Sequence, residues 1–250
     1  GWPGGVPGPE CCSVRQQEPA GAGGGVGMNK KSIKLLAENF SENVDEILEF
    51  TQRVKKVTIP KNQAEMTAFL KEEDEDRCFD IAIISLYQEF ENLIFECLVA
   101  LINNDSSTFS KHKGLEFPRH MKVEICEYLI CGDGYFDFKG RGGLIKKIRE
   151  FVPDNHCLVR IVKSENYKSE LNKLVALRNF AAHKSSVSKK QALKYTEQTR
   201  MSSTSGAWLK IQESGCPENR FTKICKSLQR MASEIMASEI AERAALLETP

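Results

Sequence analysis

The segment from Leu174 to His183 sets three side chains with polar chemistry into an otherwise apolar stretch. Arg178 carries a permanent charge and a planar fork of donors that fits phosphate or carboxylate oxygens. Asn179 offers an amide, and His183 offers an imidazole that exchanges a proton near neutral pH. Together these groups can hold an anion and move a proton beside it. Arg178, Asn179 and His183 are therefore the candidate catalytic residues.

The spacing of these residues suits a single helix. Asn179 and His183 are four residues apart and share a face. Arg178 and His183 are five residues apart, about 140° around the helix, and the small residues 181–182 leave room for the arginine to reach over the turn. A structural explanation also fits. Arg178 can pair with an acid at an interface, and His183 can sit exposed at a helix C-terminus, where cations are favourable whatever their function.

The string Arg178-Asn179-Phe180-Ala181-Ala182-His183 resembles the hallmark of the HEPN superfamily, an arginine followed by a polar residue and, shortly after, a histidine. The wider segment 171–185, LNKLVALRNFAAHKS, is most similar to the branch called RiboL-PSP-HEPN. The resemblance implies a dimerising helical bundle in which the two Arg…His elements face each other. It also implies a metal-independent endoribonuclease with a toxin, antiviral-defence or RNA-stress role, although some members of the superfamily only bind.

In such a reaction RNA supplies its own nucleophile, the 2′-OH. His183 would move protons, Arg178 would hold the phosphate, and Asn179 would orient His183 or donate to the phosphate. Two copies of His183 across a dimer provide an acid and a base, so no metal or other cofactor is expected. Two hypotheses stay open: a homodimeric endoribonuclease, or a non-catalytic helical module for dimerisation, nucleotide binding or RNA binding.

Basic side chains near these residues are candidates for contact with RNA, although charge on a helix is usually just a solvated face. The candidate RNA-binding residues are Lys184, Lys189, Lys190, Arg141, Lys146 and Lys147. The predicted partners are RNA, a second copy of the chain, and an antitoxin or regulatory protein.

Two other sets of residues suggest metals, and neither fits well. The loop GDGYFDF (132–138) has Tyr135 and Phe138 where a calcium loop of the EF-hand type needs an oxygen ligand and a glycine. His112, His120, Cys126 and Cys131 are zinc-competent, but their spacings match no common structural zinc site. We therefore predict no metal site in either set.

Composition favours a reduced, cytoplasmic setting and excludes several classes. The formal net charge is +1, which provides no global field for nucleic acid or membrane. Nine cysteines include no CxxC pair, which favours free thiols over a disulfide framework. No apolar run approaches the ~20 residues of a membrane span.

The elements that must position the candidate residues are helices. Residues 1–27 hold nine of the 17 glycines and four of the nine prolines, so we predict a disordered extension there, with Met28 as a natural start. Helical spacing then begins at Lys30, and a short helix is predicted from Gln63 to Lys71. The acidic run 71–77 opens the clearest helix. Its inward stripe consists of Phe79, Ile83, Leu86, Phe90, Leu93, Cys97 and Leu101.

In the second half of the chain the apolar residues follow helical spacing less regularly. Pro118 predicts the first position of a helix with Met121, Ile125 and Leu129 inward. Further segments follow in order: a loop at 131–143, a short helix at 144–152, a helix at 165–183, a polar exit at 184–191, a weakly patterned stretch at 192–216, and a last helix from Pro217 with Phe221, Ile224, Leu228 and Met231 inward. The tandem repeat of MASEI (231–240) matches no helical period and is interpreted as duplication without function.

The predicted fold is all-α, an up-and-down helical bundle that is HEPN-like and dimeric. We predict four regions: an extension at 1–27, an N-terminal helical segment at 28–75, the bundle at 76–235, and a helical or frayed tail at 236–250.

Overall fold

The computed structural model describes residues 30–57, 70–200 and 204–247. Within these ranges the chain forms ten α-helices and no β-sheet, which confirms the all-α prediction. The helices are α1 (Ile33–Val57), α2 (Glu72–Asn104), α3 (Ser107–Lys113), α4 (Val123–Cys131), α5 (Gly140–Arg149), α6 (Cys157–Lys163), α7 (Glu165–His183), α8 (Ser186–Thr196), α9 (Ser205–Leu209) and α10 (Arg220–Leu247). The extension predicted at 1–27 and most of the helix predicted at 63–71 lie outside the described residues.

Helix α2 is the central element and packs against α1, α4, α7 and α9. Its predicted inward stripe is buried, apart from Leu101, which is half-buried at the edge. Four acidic residues in the first turn lie next to the exposed N–H groups of the helix start, where negative charge is favourable. Lys71 is the N-cap of α2 rather than the end of a preceding helix.

Helix α1 shares this core. It packs on α2 and α10 and buries Phe40, Val44 and Leu48, while Leu36 and Ile47 are half-buried. The side-chain amide of Asn103 donates to the carbonyl of Met121, and its amide oxygen accepts from the backbone N–H of Lys31 just before α1. Residues 30–57 are thus part of the bundle's packing.

Helix α7 begins and ends where the apolar spacing predicts. The Ser164 hydroxyl accepts the N–H of Asn166 at the N-terminus, and Leu171, Leu174 and Leu177 face the core. The helix ends at Lys184, whose φ of 48° is left-handed and whose N–H donates to the Phe180 carbonyl. The segment that carries the candidate residues is therefore the last turn and a half of a well-anchored helix.

Two predictions about the region between α2 and α5 are wrong. The helix predicted to start at Pro118 begins at Val123, because the Ser106 hydroxyl holds the Pro118 carbonyl at 2.7 Å and keeps that segment in a non-helical path. This start turns Cys126 and Ile130 inward and leaves Ile125 49% exposed.

The short helices α3 and α6 have too few residues to show a periodic signal.

The polar exit and the weakly patterned stretch also contain helices. α8 is started by Ser185, whose side chain accepts the N–H of Ser188 while the Ser188 hydroxyl accepts the N–H of Ser185. α9 is a five-residue helix that packs on α2.

The last helix, α10, buries Phe221, Ile224, Leu228 and Met231, as predicted. The two MASEI copies lie within it and face different directions, because five residues advance about 140° around a helix. Ile235 is therefore buried whereas Ile240 is 54% exposed. Among the described residues no helix is both long and apolar enough to cross a membrane.

Candidate functional site

Arg178 lies half-buried on the side of α7 that faces α2. Its guanidinium carbon is 4.5 Å from the centre of the Tyr87 ring, which is stacking distance. One terminal nitrogen donates to the Asn179 side-chain oxygen at 3.0 Å. The Nε atom is buried without a hydrogen-bond partner among the described residues. The guanidinium is therefore held by Tyr87 on one face and by Asn179 on one edge. Its remaining N–H groups can still donate hydrogen bonds to a ligand.

Tyr87 and Glu91, one turn apart on α2, form the floor below Arg178. The Tyr87 hydroxyl donates to Glu91 at 3.3 Å, and burial raises the pKa of Tyr87 well above its usual value, so the phenol stays neutral. Burial, followed by the charge of Asp137, raises the pKa of the Glu91 carboxyl. The Tyr87 hydroxyl and Arg178 oppose that rise. Arg178 thus lies among acidic groups in the folded chain.

An open groove of about 800 Å³ runs beside Arg178 between α2, α4 and the loop before α5. Its carboxylates are Glu91, Glu124, Glu127 and Asp137. Among the described residues Arg178 is the only basic side chain in the lining. The groove is therefore acidic around one guanidinium, which does not match a continuous basic path for RNA.

His183 is the last residue of α7 and is exposed. Within the described part of the chain, no hydrogen bond joins its imidazole to Arg178 or Asn179. The structure therefore brings Arg178 and Asn179 together and leaves His183 on the surface, one turn farther along the same helix.

Lys184, next to His183, is partly used by the fold. Its ammonium is 3.6 Å from the buried Asp80 carboxylate, whose other oxygen accepts the backbone N–H of Gly206 at 2.7 Å. Burial raises the pKa of Asp80, while the Gly206 hydrogen bond and Lys184 lower it. Lys184 remains more than half exposed, so this ion pair is a weak restraint on the junction of α7 and α8.

The other basic candidates divide into exposed and engaged side chains. Lys146, Lys189 and Lys190 are exposed. Lys147 pairs with Glu150 at 3.3 Å and lies over the Phe151 ring.

Arg141 donates to the backbone carbonyls of Val162, Lys163 and Ser164, which end α6. Its side chain is only 13% exposed. This arrangement is a structural cap, and few donors of Arg141 are left for a ligand.

The residues weighed as metal ligands do not converge in the structure. The rings of His112 and His120 bond to the carbonyls of Arg149 and Asn104, respectively. Cys126 is buried and Cys131 lines the groove beside Arg178. Among the described residues, a different set has donor atoms close enough to share an ion: His156, Cys157 and Glu239.

Sequence reasoning did not identify Tyr87, Glu91 and Asp137 as neighbours of Arg178. The spacing of Tyr87 and Glu91 puts them on one face of a helix, and this was the only available signal. Nothing in a single sequence shows which helix that face meets.

Comparison with protein-family models, with curated proteins and with solved structures finds no match to this chain. The functional interpretation therefore rests on the geometry above and on the resemblance carried by residues 171–185.

Proposed function

We propose that the chain is a HEPN-like, metal-independent endoribonuclease that acts as a homodimer. The observation that carries the proposal is the held guanidinium of Arg178. Tyr87 stacks on its face, Asn179 fixes one edge, and an open groove lies beside it. Preorganised donors of this kind stabilise developing charge without reorganising during the reaction.

The proposed reaction is an internal transesterification. A base removes the 2′-OH proton, the 2′-oxygen forms a bond to phosphorus, and the bond from phosphorus to the 5′-oxygen breaks. An acid protonates the departing 5′-oxygen, and the products end in a 2′,3′-cyclic phosphate and a 5′-hydroxyl. His183 of one protomer would serve as base and His183 of its partner as acid, while Arg178 stabilises the charge on the phosphate.

Exposure of His183 supports this division of roles. A histidine that shuttles protons must be accessible to the substrate, and the imidazole of His183 lies at the surface. Lys184, Lys189 and Lys190 are exposed at the same junction of α7 and α8, where they supply local positive charge for RNA. A cell would need to restrain such an activity, which is the reason for proposing an antitoxin or regulatory partner and a toxin, defence or RNA-stress role.

The direct test is cleavage of RNA by the purified full chain with excess EDTA. Wild type should cut and leave 2′,3′-cyclic phosphate ends, whereas Arg178→Ala and His183→Ala should lose roughly 10²-fold or more in rate. Arg178→Lys should not restore the rate, because an ammonium has no planar fork. His112→Ala and Arg77→Ala are matched controls away from α7 and should cut normally.

A second candidate function is favoured by the acidity of the groove. Four carboxylates around Arg178 repel phosphate and suit a cationic or hydrogen-bonding protein surface. In that case the chain is a non-catalytic module, and Arg178 stabilises the interface between two copies of the chain. Light scattering on the same variants separates the two. If wild type is inert on RNA and Arg178→Ala weakens self-association, the module is correct and the nuclease is not.

A further inference from the structure

A second group of chemically capable side chains lies where the start of α6 meets α10. His156 is the N-cap of α6 and Cys157 is its first residue, so consecutive residues supply an imidazole and a thiol. Glu239 on α10 supplies a carboxylate. The donor atoms of all three lie within 4.8 Å of one another. Cys157 Sγ is 3.8 Å from His156 Nδ1 and 3.8 Å from Glu239 Oε2.

We propose that His156, Cys157 and Glu239 bind a divalent transition-metal ion, for which zinc fits best. A zinc ion lies about 2.3 Å from a thiolate and about 2.0–2.1 Å from a nitrogen or oxygen ligand. At the tetrahedral angle these bonds place sulfur roughly 3.6 Å from either neighbour. The two sulfur separations of 3.8 Å need only a small contraction to meet this geometry. The imidazole and carboxylate donors, which lie within 4.8 Å of each other, would have to close to about 3.4 Å.

Burial and charge support the same assignment. Cys157 is 1% exposed and Glu239 is 6% exposed, so an ion held between them would be shielded from bulk water, where its attraction to charged ligands is stronger. A thiolate and a carboxylate cancel the two charges of the ion, and a neutral imidazole completes the set. The mixture of sulfur, nitrogen and oxygen selects zinc-like ions over calcium or magnesium, which prefer oxygen ligands alone.

The site has room for a fourth ligand. His156 and Glu239 line a cavity of about 590 Å³ that also reaches His120 and Arg119. Three protein ligands with one open position are the arrangement found in reactive zinc sites. His156 Nδ1 accepts the Leu158 N–H at 3.2 Å, and metal binding at Nδ1 would exchange this cap for a metal bond.

This cavity shares no lining residue with the groove beside Arg178. The metal site is therefore separate from the proposed ribonuclease site, and the proposed cleavage in EDTA does not depend on it.

The test uses metal-free full-length protein titrated with Co²⁺, followed by displacement with Zn²⁺. Wild type should take one Co²⁺ per chain at this site, with the intense thiolate charge-transfer absorption and the strong visible bands of a tetrahedral ion. Cys157→Ser should lose the charge-transfer band. Glu239→Gln should bind roughly tenfold or more weakly. No saturable binding, or an unchanged charge-transfer band in Cys157→Ser, would overturn the proposal.

The matched control is Cys97→Ser. Cys97 is another buried thiol, and the charge of Glu239 contributes to the rise of its pKa to about 12, although burial is the larger cause. It should keep the band, and loss of the band in this variant but not in Cys157→Ser would contradict the ligand set.

X-ray absorption at the zinc edge measures the ligand atoms around zinc in the wild-type protein, so this test does not require any variant to fold. One sulfur at about 2.3 Å with nitrogen or oxygen neighbours is the expected shell. A shell without sulfur would overturn the assignment.

Discussion

At the scale of single residues, what Arg178 can do chemically depends on the neighbours that orient its guanidinium and set the charge around it. Tyr87 and Asn179 fix the orientation of the guanidinium, and Glu91 and Asp137 set the charge around it. Among the described residues His183 has no comparable hydrogen-bond or stacking partner, so its role depends on what reaches the surface at the end of α7. The proposed ribonuclease therefore needs a second protomer or the RNA itself to complete its site.

Asp80 allows a prediction about the free energy of unfolding at neutral pH. Asp80→Ala should lower the free energy of unfolding by about 1–3 kcal/mol, because the buried Gly206 N–H loses its acceptor. Asp80→Asn should stay within about 1 kcal/mol of wild type, because the amide oxygen can still accept that N–H and no charge is buried. Urea unfolding at neutral pH measures both, and equal losses would show that the hydrogen bond to Gly206 contributes little.

The same aspartate predicts a dependence on pH. Since burial raises the pKa of Asp80 in the folded state, the folded chain binds this proton more tightly than the unfolded chain. The contribution of Asp80 to stability therefore falls as pH rises from about 4 through the folded pKa, and it is level above that. In Asp80→Asn the free energy of unfolding, measured with urea across that pH range, should lack the part of the decrease that Asp80 causes. An unchanged fall would assign the effect to another carboxyl whose pKa is raised by burial, such as the half-buried Glu91.

At the scale of elements, the contact of α9 with α2 is set by a glycine. A Cβ on Gly206 would lie 1.8 Å from the Asp76 carbonyl oxygen, so the two backbones touch there. Gly206→Ala should cost about 1–3 kcal/mol or more, because α9 must move off α2. Gly142→Ala is the control, since nothing lies within 4 Å of its added Cβ and it lies in a helix. Thermal or urea unfolding that ranks the two variants alike would contradict this close approach.

The cap of α6 by Arg141 gives a second prediction at this scale. Arg141→Ala should lower the free energy of unfolding by about 1.5–3 kcal/mol, because the carbonyls of residues 162–164 lose a charged donor. Lys146→Ala should change stability by less than about 0.5 kcal/mol, because its side chain is exposed. Urea unfolding compares them. Equal stability of the two variants would mean that the Arg141 side chain is free to act elsewhere.

How far the sequence predicts the elements depends on the strength of each apolar stripe. α2, α7 and α10 carry stripes long enough to fix both their existence and their buried faces. α8 is started by a pair of serines in a polar stretch, and its apolar face is too thin for a periodic signal. The start of α4 was misplaced because a tertiary hydrogen bond from Ser106 outweighs the local preference of Pro118.

At the scale of the whole molecule, the formal net charge of +1 requires that any affinity for RNA be local. Each lysine that contacts a phosphate of single-stranded RNA contributes about −0.7 to the slope of log affinity against log salt. Lys189→Ala with Lys190→Ala should reduce that slope by about 1.4. The same pair of changes at Lys55 and Lys56, also exposed, should leave it unchanged.

Fluorescence anisotropy with a 2′-O-methyl oligonucleotide, which cannot undergo attack by its own 2′-OH, measures this slope without cleavage. Equal slopes for both double variants would exclude α8 as the proposed site of RNA contact.

The candidate site was predictable only along one helix. The string 178–183 identifies Arg178, Asn179 and His183 from their types and spacing. The Tyr87 floor, the acidic groove and the cluster of His156, Cys157 and Glu239 all depend on which helices meet, and that is decided by packing of distant segments. A single sequence contains no direct record of those pairings.

The tandem MASEI repeat (231–240) makes two tertiary contacts of α10 depend on its copy number. The two copies place Glu234, which accepts the Tyr167 hydroxyl at 2.6 Å, and Glu239, which joins His156 and Cys157. Loss of either copy yields the same product, which keeps Glu234 and Ile235 and puts an alanine where Glu239 stood. One contraction of the repeat would thus remove a proposed metal ligand and leave α7 docked on α10. A chain with one copy should therefore lose the proposed metal site while keeping the contact between Tyr167 and Glu234.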